Sequence, residues 1–503
     1  MTAVNDLTDL TDLDGRGLSA EIQARRVSCR EVMAAYLARI HRLNPALNAI
    51  VNLAPDFALL AQADVADAEL ARGASRGWMH GLPQAIKDTG HALGFATTFG
   101  SPLLRDAMPA QDSLMTARIK ASGAIVIGKT NVPELGLGSH TFNPLFGATA
   151  NAWDNTVSAG GSSGGAAVAL AQRLLPVADG SDLMGSLRNP AAWGHVFGLR
   201  PSQGRVPLWP AADIWVAQLG TEGPMARTVR DLAALLATQA GYDPRVPLSI
   251  RHDLADSLAG LSAAPGQGDT RALRGLRIGW LGDLGGHLAI EDGLLPVLQA
   301  ALARCQAEGA LVEPVALGFD ADVLWQAWLV WRRALVAPRV AALLKLPDAR
   351  RQIKPEALWE HDQAQGLSCM DFMRASEVRS AFHSHLLGLF QRFDVLALPA
   401  TQVWPFAIDQ RWPAQIAGRP MDTYHRWMEC TLYATFAGLP ALSLPAGFHA
   451  NGRWPAGLQW MARPQADAAL LRAAAGYEAM SVDLLAQRPP EPASSTFRPP
   501  EPA

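Results

Sequence analysis

The 503-residue chain has 49% hydrophobic and 18% charged residues, a composition that supplies a large apolar core and excludes a disordered or fibrous protein. Its formal net charge is −3 without a block of lysines and arginines, which argues against a nucleic-acid surface or a polybasic membrane contact. Its four cysteines show no CxxC spacing, so the sequence predicts neither a zinc site nor a disulfide framework. We therefore expect a protein that acts on a small molecule.

The amino terminus, MTAVNDLTDLTDLDG, carries acidic residues where a secretory signal would carry positive charge. The most apolar aromatic segment, residues 323–331, is much shorter than the ~20 residues that span a bilayer. These features predict a cytoplasmic protein without a membrane contact.

The first predicted element is a helix that begins after Ser28. Glu31 follows Ser28 by three residues, which is the pattern of a capping box, and apolar side chains then recur every three or four residues. Pro45 is expected to end this helix. A second, alanine-rich helix is expected near residues 57–72.

Short apolar runs bounded by turn signals then predict strands along the whole chain, at residues 82–86, 124–127, 276–281, 395–398 and 441–444, before a helix at Asp467–Met480. Strands alternating with helices predict an α/β fold, and their spread over the chain favours one large mixed sheet in a single domain, residues 1–487. The last segment contains RPPEPA twice, which predicts a flexible proline-rich tail, residues 488–503.

The segment that carries chemistry is residues 158–190, SAGGSSGGAAVALAQRLLPVADGSDLMGSLRNP. Glycines surround Ser162 and Ser186, where they permit close backbone approaches and leave amide N–H groups free to face a ligand. Each loop alone is equally consistent with an ordinary Gly/Ser turn.

Together they resemble the amidase-signature family, in which GGSSGG is followed by an alanine-rich helix and a GTDxGGSxRxPA loop. Further stretches resemble the family in the same order: GLPQAIKD, GKTNVPELGLG, GLRPSQGRVP, GPMARTVRDLA, DVLALPAT, AGLPALSLPAG and PAGLQWMARPQAD. The signature core covers about residues 81–231. The resemblance implies a large mixed β-sheet covered by helices on both sides.

Carried over by motif, the resemblance implies that Lys87 is the base, Ser162 the serine in a cis peptide linkage, and Ser186 the nucleophile. The two serines are 24 residues apart, as in the family. No His/Asp pair accompanies Ser186 in the matching motifs, so Lys87 must be neutral to accept a proton, and burial can lower a lysine pKa by several units.

The resemblance further implies an oxyanion hole made of the backbone amides of Leu183, Met184, Gly185 and Ser186, with neither a metal nor an organic cofactor. The family's TDxGGS is SDLMGS in this chain, so Met184 replaces a glycine. Backbone amides survive that change, whereas the methionine side chain is expected to narrow the pocket or to make it more apolar.

Three further side chains are interpreted as supporting the site. Ser163 follows Ser162, while Asp182 and Arg188 flank the nucleophile and are expected to pair with each other or to bond the loop. Asp182 as a catalytic acid and Lys129 as a rival base are the alternatives.

The favoured function is an amidase that forms an acyl-enzyme on Ser186 and hydrolyses carboxylic amides with apolar or aryl moieties, with activity on esters and carbamates. Alternatives are an aryl acylamidase, a carbamate or amide-oligomer hydrolase, an amidotransferase component that releases ammonia from glutamine, and a catalytically silent protein. The expected partner is a small amide substrate, and a homodimer is left open. The fifteen tryptophans are interpreted mostly as core, with some lining an apolar pocket.

Overall fold

The computed structural model describes residues 10–492 apart from 252, 253, 259, 262 and 265. In these residues the α-helices are α1 Gly15–Gln23, α2 Cys29–Leu47, α3 Asp56–Ala71, α4 Leu114–Ala121, α5 Gly164–Ala171, α6 Arg188–Gly194, α7 Val229–Gln239, α8 Ala255–Leu258, α9 Leu294–Ala307, α10 Ala321–Leu343, α11 Ala349–Gln352, α12 Pro355–Gln363, α13 Cys369–Leu389, α14 Leu432–Ala437, α15 Asp467–Met480 and α16 Val482–Leu485. Short 3-10 helices are Leu10–Asp12, Pro102–Leu104, Glu134–Gly136, Thr270–Leu273 and Arg426–Thr431.

The strands of the same residues are β1 Ile50–Val51, β2 Pro83–Lys87, β3 Ile125–Thr130, β4 Phe142–Asn143, β5 Gly147–Ala148, β6 Val177–Asp182, β7 Phe197–Arg200, β8 Thr221–Ala226, β9 Arg277–Trp280, β10 Leu311–Pro314, β11 Val395–Pro399, β12 Gln415–Ile416, β13 Arg419–Pro420, β14 Ala441–Phe448 and β15 Pro455–Ala462. All five predicted strands and the three predicted helices are present.

Helix α2 begins as the sequence predicts but ends later. The Ser28 hydroxyl accepts from the Glu31 amide, and the Glu31 side chain accepts from the Ser28 amide, so the capping box is confirmed. The prediction that Pro45 ends the helix is wrong. In the last turn a proline removes only one backbone donor, and the helix closes at Asn48, whose N–H bonds the Asn44 carbonyl at 2.7 Å.

The large sheet has eight strands in the order β10-β9-β11-β15-β14-β7-β8-β6. Strand β9 pairs in parallel with β10 and β11, and the remaining neighbours are antiparallel, so the sheet is mixed as predicted. Its last strand, β6, leads directly into the loop that carries Ser186.

Helices cover both faces of this sheet, as two residues of β15 three positions apart show. Gly457 approaches Ala192 of α6 so closely that a Cβ at 457 would lie 2.5 Å from the Ala192 Cβ. Trp460, on the opposite face, packs edge-on against Tyr477 of α15 with ring centroids 5.5 Å apart. Side chains alternate across a strand, so α6 and α15 lie on opposite sides.

The predicted strands at residues 82–86 and 124–127 do not join the large sheet, which corrects the expectation of one sheet. They form a three-stranded sheet in the order β1-β3-β2. Strand β2 meets the edge strand β6 through a side chain instead: Asp179 accepts from the Lys87 amide at 3.0 Å and from the Gln84 side-chain amide at 2.9 Å. This carboxylate holds Lys87 beside the end of β6.

Two large apolar clusters and a smaller third one form the core of the described residues. The first lies around the large sheet, and the second lies between the Ser186 loop and helices α10, α13 and α14. Trp325, Trp328 and Trp331 of α10 are buried in the second cluster, which confirms their interpretation as core. Trp215, by contrast, is 60% exposed.

The first residues of the predicted tail contact the body of the protein. Arg488 pairs with Asp12 at 2.9 Å, and the Pro490 carbonyl accepts from Gln172 at 2.8 Å. These contacts lie just beyond the predicted boundary at residue 487, and residues 493–503 of the predicted tail lie outside the described residues. Within the described residues, every helix falls short of a membrane span in its length or in its apolar character.

The packing of α5 against β3 gives a prediction for stability. A Cβ on Gly165 would lie 2.4 Å from the Asn131 nitrogen and 2.5 Å from the Ala49 oxygen, both backbone atoms, so Gly165→Ala is expected to cost about 1–3 kcal/mol or more. Gly388, near the end of α13, has open space at its Cβ position. Gly388→Ala should stabilise the protein by up to about 1 kcal/mol. Urea denaturation measures both variants, and equal midpoints would contradict the prediction.

Candidate functional site

Lys87 lies at the end of β2, with only 1% of its surface exposed. Its ammonium nitrogen, Nζ, lies 2.8 Å from Oγ of Ser162, 2.8 Å from Oγ of Ser163 and 3.1 Å from the carbonyl oxygen of Ser181. The structure thus brings together the predicted base, the serine predicted to be in a cis peptide linkage and the predicted supporting serine.

Burial lowers the pKa of Lys87 to about 7, although Asp182, Asp179 and Glu222 act in the opposite direction. Two of these acids are themselves driven toward the neutral form. Burial raises the pKa of Asp179, and it raises the pKa of Glu222 to about 8, because neither carboxylate is exposed to much water. A neutral Lys87 is therefore accessible near pH 7.

A glycine-rich turn positions Ser162 and is tied to the Ser186 loop by backbone. The peptide bond between Gly161 and Ser162 is cis, as the family resemblance implies. The Ser139 hydroxyl donates to the Gly161 carbonyl at 2.7 Å, and the Ser163 N–H donates to the Ser186 carbonyl at 3.2 Å. Among the contacts of the described residues, no hydrogen bond joins Oγ of Ser162 to Oγ of Ser186.

The Ser186 loop is organised by a buried ion pair between Asp182 and Arg188. Nε and Nη2 of Arg188 donate to the two Asp182 oxygens at 3.0 and 2.9 Å, which is the predicted pairing. The same carboxylate accepts the amides of Gly185 and Leu187 at 2.8 and 3.1 Å. Burial raises the pKa of Asp182, but Arg188 and these donors outweigh burial and hold that pKa below its usual range. Asp182 therefore remains ionised and supports the loop.

The predicted oxyanion hole needs one correction, at Gly185. Its N–H already donates to Asp182 within the loop, so it does not point at a substrate. A positive φ of 89° and an Asn189 oxygen 2.1 Å from the Cβ position make glycine necessary there. The amides of Leu183, Met184 and Ser186 have no acceptor among the described residues, so these three remain as donors.

The rival base Lys129 lies elsewhere. Its ammonium group donates to the Gly90 carbonyl and lies 3.8 Å from Asp88, and its contacts include neither serine. Burial lowers the pKa of Lys129 to about 8, so a shifted pKa alone does not identify the base. Within the described residues, no group of three or more His, Cys, Asp or Glu side chains could hold a metal ion.

Sequence reasoning missed Asp179, Glu222 and Arg200. The carboxylates of Asp179 and Glu222 act on Lys87 through their charge and raise its pKa. Arg200 donates to the Asp182 carbonyl at 2.5 Å. A sequence signal was available for Asp179. It is an acid in the otherwise apolar start of β6, VADGSD, and such an acid predicts a buried carboxylate with a partner.

The family model described as Amidase matches residues 31–471. The chain belongs to the amidase family. It is 34% identical over 508 residues to one of the subunits of the glutamyl-tRNA(Gln) amidotransferase of Chloroflexus aurantiacus, with 94% of this chain and 98% of that protein covered. A bacterial aryl acylamidase of the amidase-signature family superposes with a TM-score of 0.85 at 28% identity, covering 95% and 99% of the two chains. The peptide amidase of Stenotrophomonas maltophilia superposes with a TM-score of 0.75 at 28% identity, covering 95% and 98%.

Two of the buried lysines, Lys87 and Lys129, provide a matched pair of variants. Lys87→Met should lower kcat/KM by roughly 10²- to 10⁴-fold, the usual range for loss of a general base. Lys129→Met removes a similar buried amine that contacts neither serine, and it should retain activity per folded molecule. Circular dichroism gives the folded fraction of each variant. Equal losses of activity in the two variants would exclude a specific role for Lys87.

The lowered pKa of Lys87 also predicts a pH profile. A protonated lysine has no lone pair, so kcat/KM should fall as the pH drops through about 7 and reach a plateau above it. The slope on the acid side should be about tenfold per pH unit for one proton. Initial rates with a substrate that does not titrate between pH 5 and 9 test this expectation, and a flat profile over that interval would contradict it.

Proposed function

We propose that this chain hydrolyses carboxylic amides through an acyl-enzyme on Ser186, with Ser162 and Lys87 as the proton relay. The observation that carries the proposal is the 2.8 Å contact between Nζ of Lys87 and Oγ of Ser162, at a lysine whose burial brings its pKa to about 7. A serine hydroxyl is a weak nucleophile until a base takes its proton, and this arrangement supplies a base.

In the proposed reaction the Ser186 hydroxyl turns toward Ser162 when substrate binds. Lys87 takes the proton of Ser162, Ser162 takes the proton of Ser186, and Oγ of Ser186 attacks the amide carbonyl. The C–N bond then breaks as the relay returns a proton to the leaving amine. Water attacks the resulting ester by the same relay, releasing the acid and restoring Ser186.

The negative oxygen of each tetrahedral intermediate faces the free amides of Leu183, Met184 and Ser186 in this proposal. Each such donor is worth about 3–4 kcal/mol in acyl-transfer enzymes. Because Asp182 fixes the loop by two further amides, the donors are oriented before the substrate arrives.

An apolar or aryl moiety is the proposed substrate preference. Met184 is buried in the same apolar cluster as Trp193 and Trp427, whose rings stack with centroids 5.8 Å apart, and Leu183 packs against this cluster. A Cβ at Gly160 would lie 3.2 Å from the Trp193 ring, so the Ser162 turn packs on the same aromatic surface. Both catalytic loops therefore border apolar surroundings, in keeping with the likeness to the aryl acylamidase.

The second candidate is a glutamine-hydrolysing component of an amidotransferase. It is favoured by the 34% identity to the Chloroflexus aurantiacus protein over nearly the whole of both chains. Against it stand the net charge of −3, which offers no general attraction to transfer RNA, and Met184 beside the nucleophile.

A substrate panel decides between the two candidates. Purified protein, without partner proteins, is incubated with anilides, aliphatic amides, esters, carbamates and glutamine, and amine or ammonia release is measured. We expect hydrolysis of the anilides to exceed that of glutamine, and Ser186→Ala to remove it. Ser380→Ala, on the exposed face of α13, is the matched serine control and should retain full activity.

Two results would contradict the proposal. Hydrolysis that survives in Ser186→Ala would exclude this serine as the nucleophile. Turnover of glutamine alone would establish the amidotransferase alternative in place of the apolar substrate class.

A further inference from the structure

Arg200, the last residue of β7, is a buried cation beside the Ser186 loop. It has no exposed surface, although arginine is among the residues least often fully buried. Nη1 donates to the Asp182 carbonyl at 2.5 Å, and Nη2 donates to the Leu219 carbonyl at 2.7 Å. Nη1 also lies 3.5 Å from Oδ1 of Asp182.

The bond to the Asp182 carbonyl acts on the next amide through the peptide plane. The C=O of Asp182 and the N–H of Leu183 belong to one trans peptide unit, so the two groups point in opposite directions. Holding the carbonyl toward Arg200 therefore directs the Leu183 N–H away from Arg200. That N–H has no acceptor among the described residues.

The amide of Ser186 is also oriented through the carbonyl of its own peptide unit. The Gly185 carbonyl, in the same peptide unit as the Ser186 N–H, accepts from the amides of Arg188 and Asn189 at 2.9 and 2.7 Å. Helix α6 thus orients one of the three donors of the oxyanion hole, Ser186, and a side chain, Arg200, orients a second, Leu183.

The positive charge of Arg200 contributes in addition to its orientation of the Leu183 amide. Asp182 is already neutralised by two hydrogen bonds from Arg188, so the Arg200 guanidinium leaves one positive charge uncompensated in this group of three. Nε of Arg200 has no hydrogen-bond partner among the described residues. A buried positive charge behind the loop stabilises negative charge that develops in front of it.

We propose that Arg200 is a positioning residue for the reaction: it holds the peptide unit of Asp182 and Leu183 so that the Leu183 amide and a buried positive charge face the oxyanion. This inference rests on the proposed function, because it assigns Arg200 to the oxyanion of an acyl transfer on Ser186.

Arg205 provides the matched control. It is also buried, with 1% exposed surface, and its Nε and Nη2 both bond Asp467 at 3.2 Å. Arg205 stands five residues further along the chain, and its hydrogen bonds within the described residues do not reach the Ser186 loop. Substitution of either arginine therefore removes the structural role of a buried guanidinium. An effect on the oxyanion is expected only when Arg200 is substituted.

The test compares Arg200→Lys, Arg200→Met and Arg205→Lys by the rate at which a fluorophosphonate labels Ser186, which requires no known substrate. Labelling should slow by about 10- to 100-fold in Arg200→Met, a fraction of the 10²–10³ that loss of a whole oxyanion donor costs. Arg200→Lys should recover part of the rate, because it keeps the charge, and Arg205→Lys should label as fast as the unmodified protein. With a substrate from the panel, Arg200→Lys should lower kcat and leave KM unchanged.

The outcomes separate this inference from the proposed function. If the unmodified protein is not labelled at Ser186, the proposed function fails. If it is labelled, but equally fast in the folded Arg200 variants, only the role of Arg200 is overturned. An equal loss in Arg205→Lys, or a change confined to KM, would likewise assign Arg200 to structure alone.

Discussion

The site depends on keeping a lysine amine out of water. Nζ of Lys87 has two serine hydroxyls and one carbonyl around it, and no carboxylate of the described residues bonds it directly. A direct ion pair would hold the proton on the amine, whereas neutral hydroxyls leave burial as the dominant influence on its pKa. The carboxylate that does bond this residue, Asp179, accepts from the backbone N–H of Lys87 and not from Nζ.

The fold provides this environment by bringing two sheets together at one edge. Strand β2 delivers Lys87, strand β6 delivers Asp182 and the nucleophile loop, and Asp179 joins the two strands through side-chain bonds. The turn at Ser162 then packs between them. Since the donors of the loop are fixed by Asp182 and by the start of α6, little reorganisation is needed when charge develops on the substrate.

The sequence predicted much of this and failed at identifiable points. The motifs located Lys87, Ser162 and Ser186. Short apolar runs between turn signals predicted the strands, and alanine- and leucine-rich composition predicted the helix Asp467–Met480, because those signals are local. The Gly185 amide could not be assigned, since the direction of an N–H depends on how the loop folds around Asp182. The separation of β2 and β3 from the large sheet was also missed, because strand patterns do not state which strands pair.

The measurement that tests the central claim most directly is identification of the residue that becomes acylated. The protein is incubated with an activated ester of an aryl acid, quenched in acid, digested and analysed by mass spectrometry. The account predicts one acyl group on the peptide that contains Ser186, with accumulation that slows strongly in Lys87→Met. Acylation of a different residue, or of Ser186 at an unchanged rate in Lys87→Met, would contradict it.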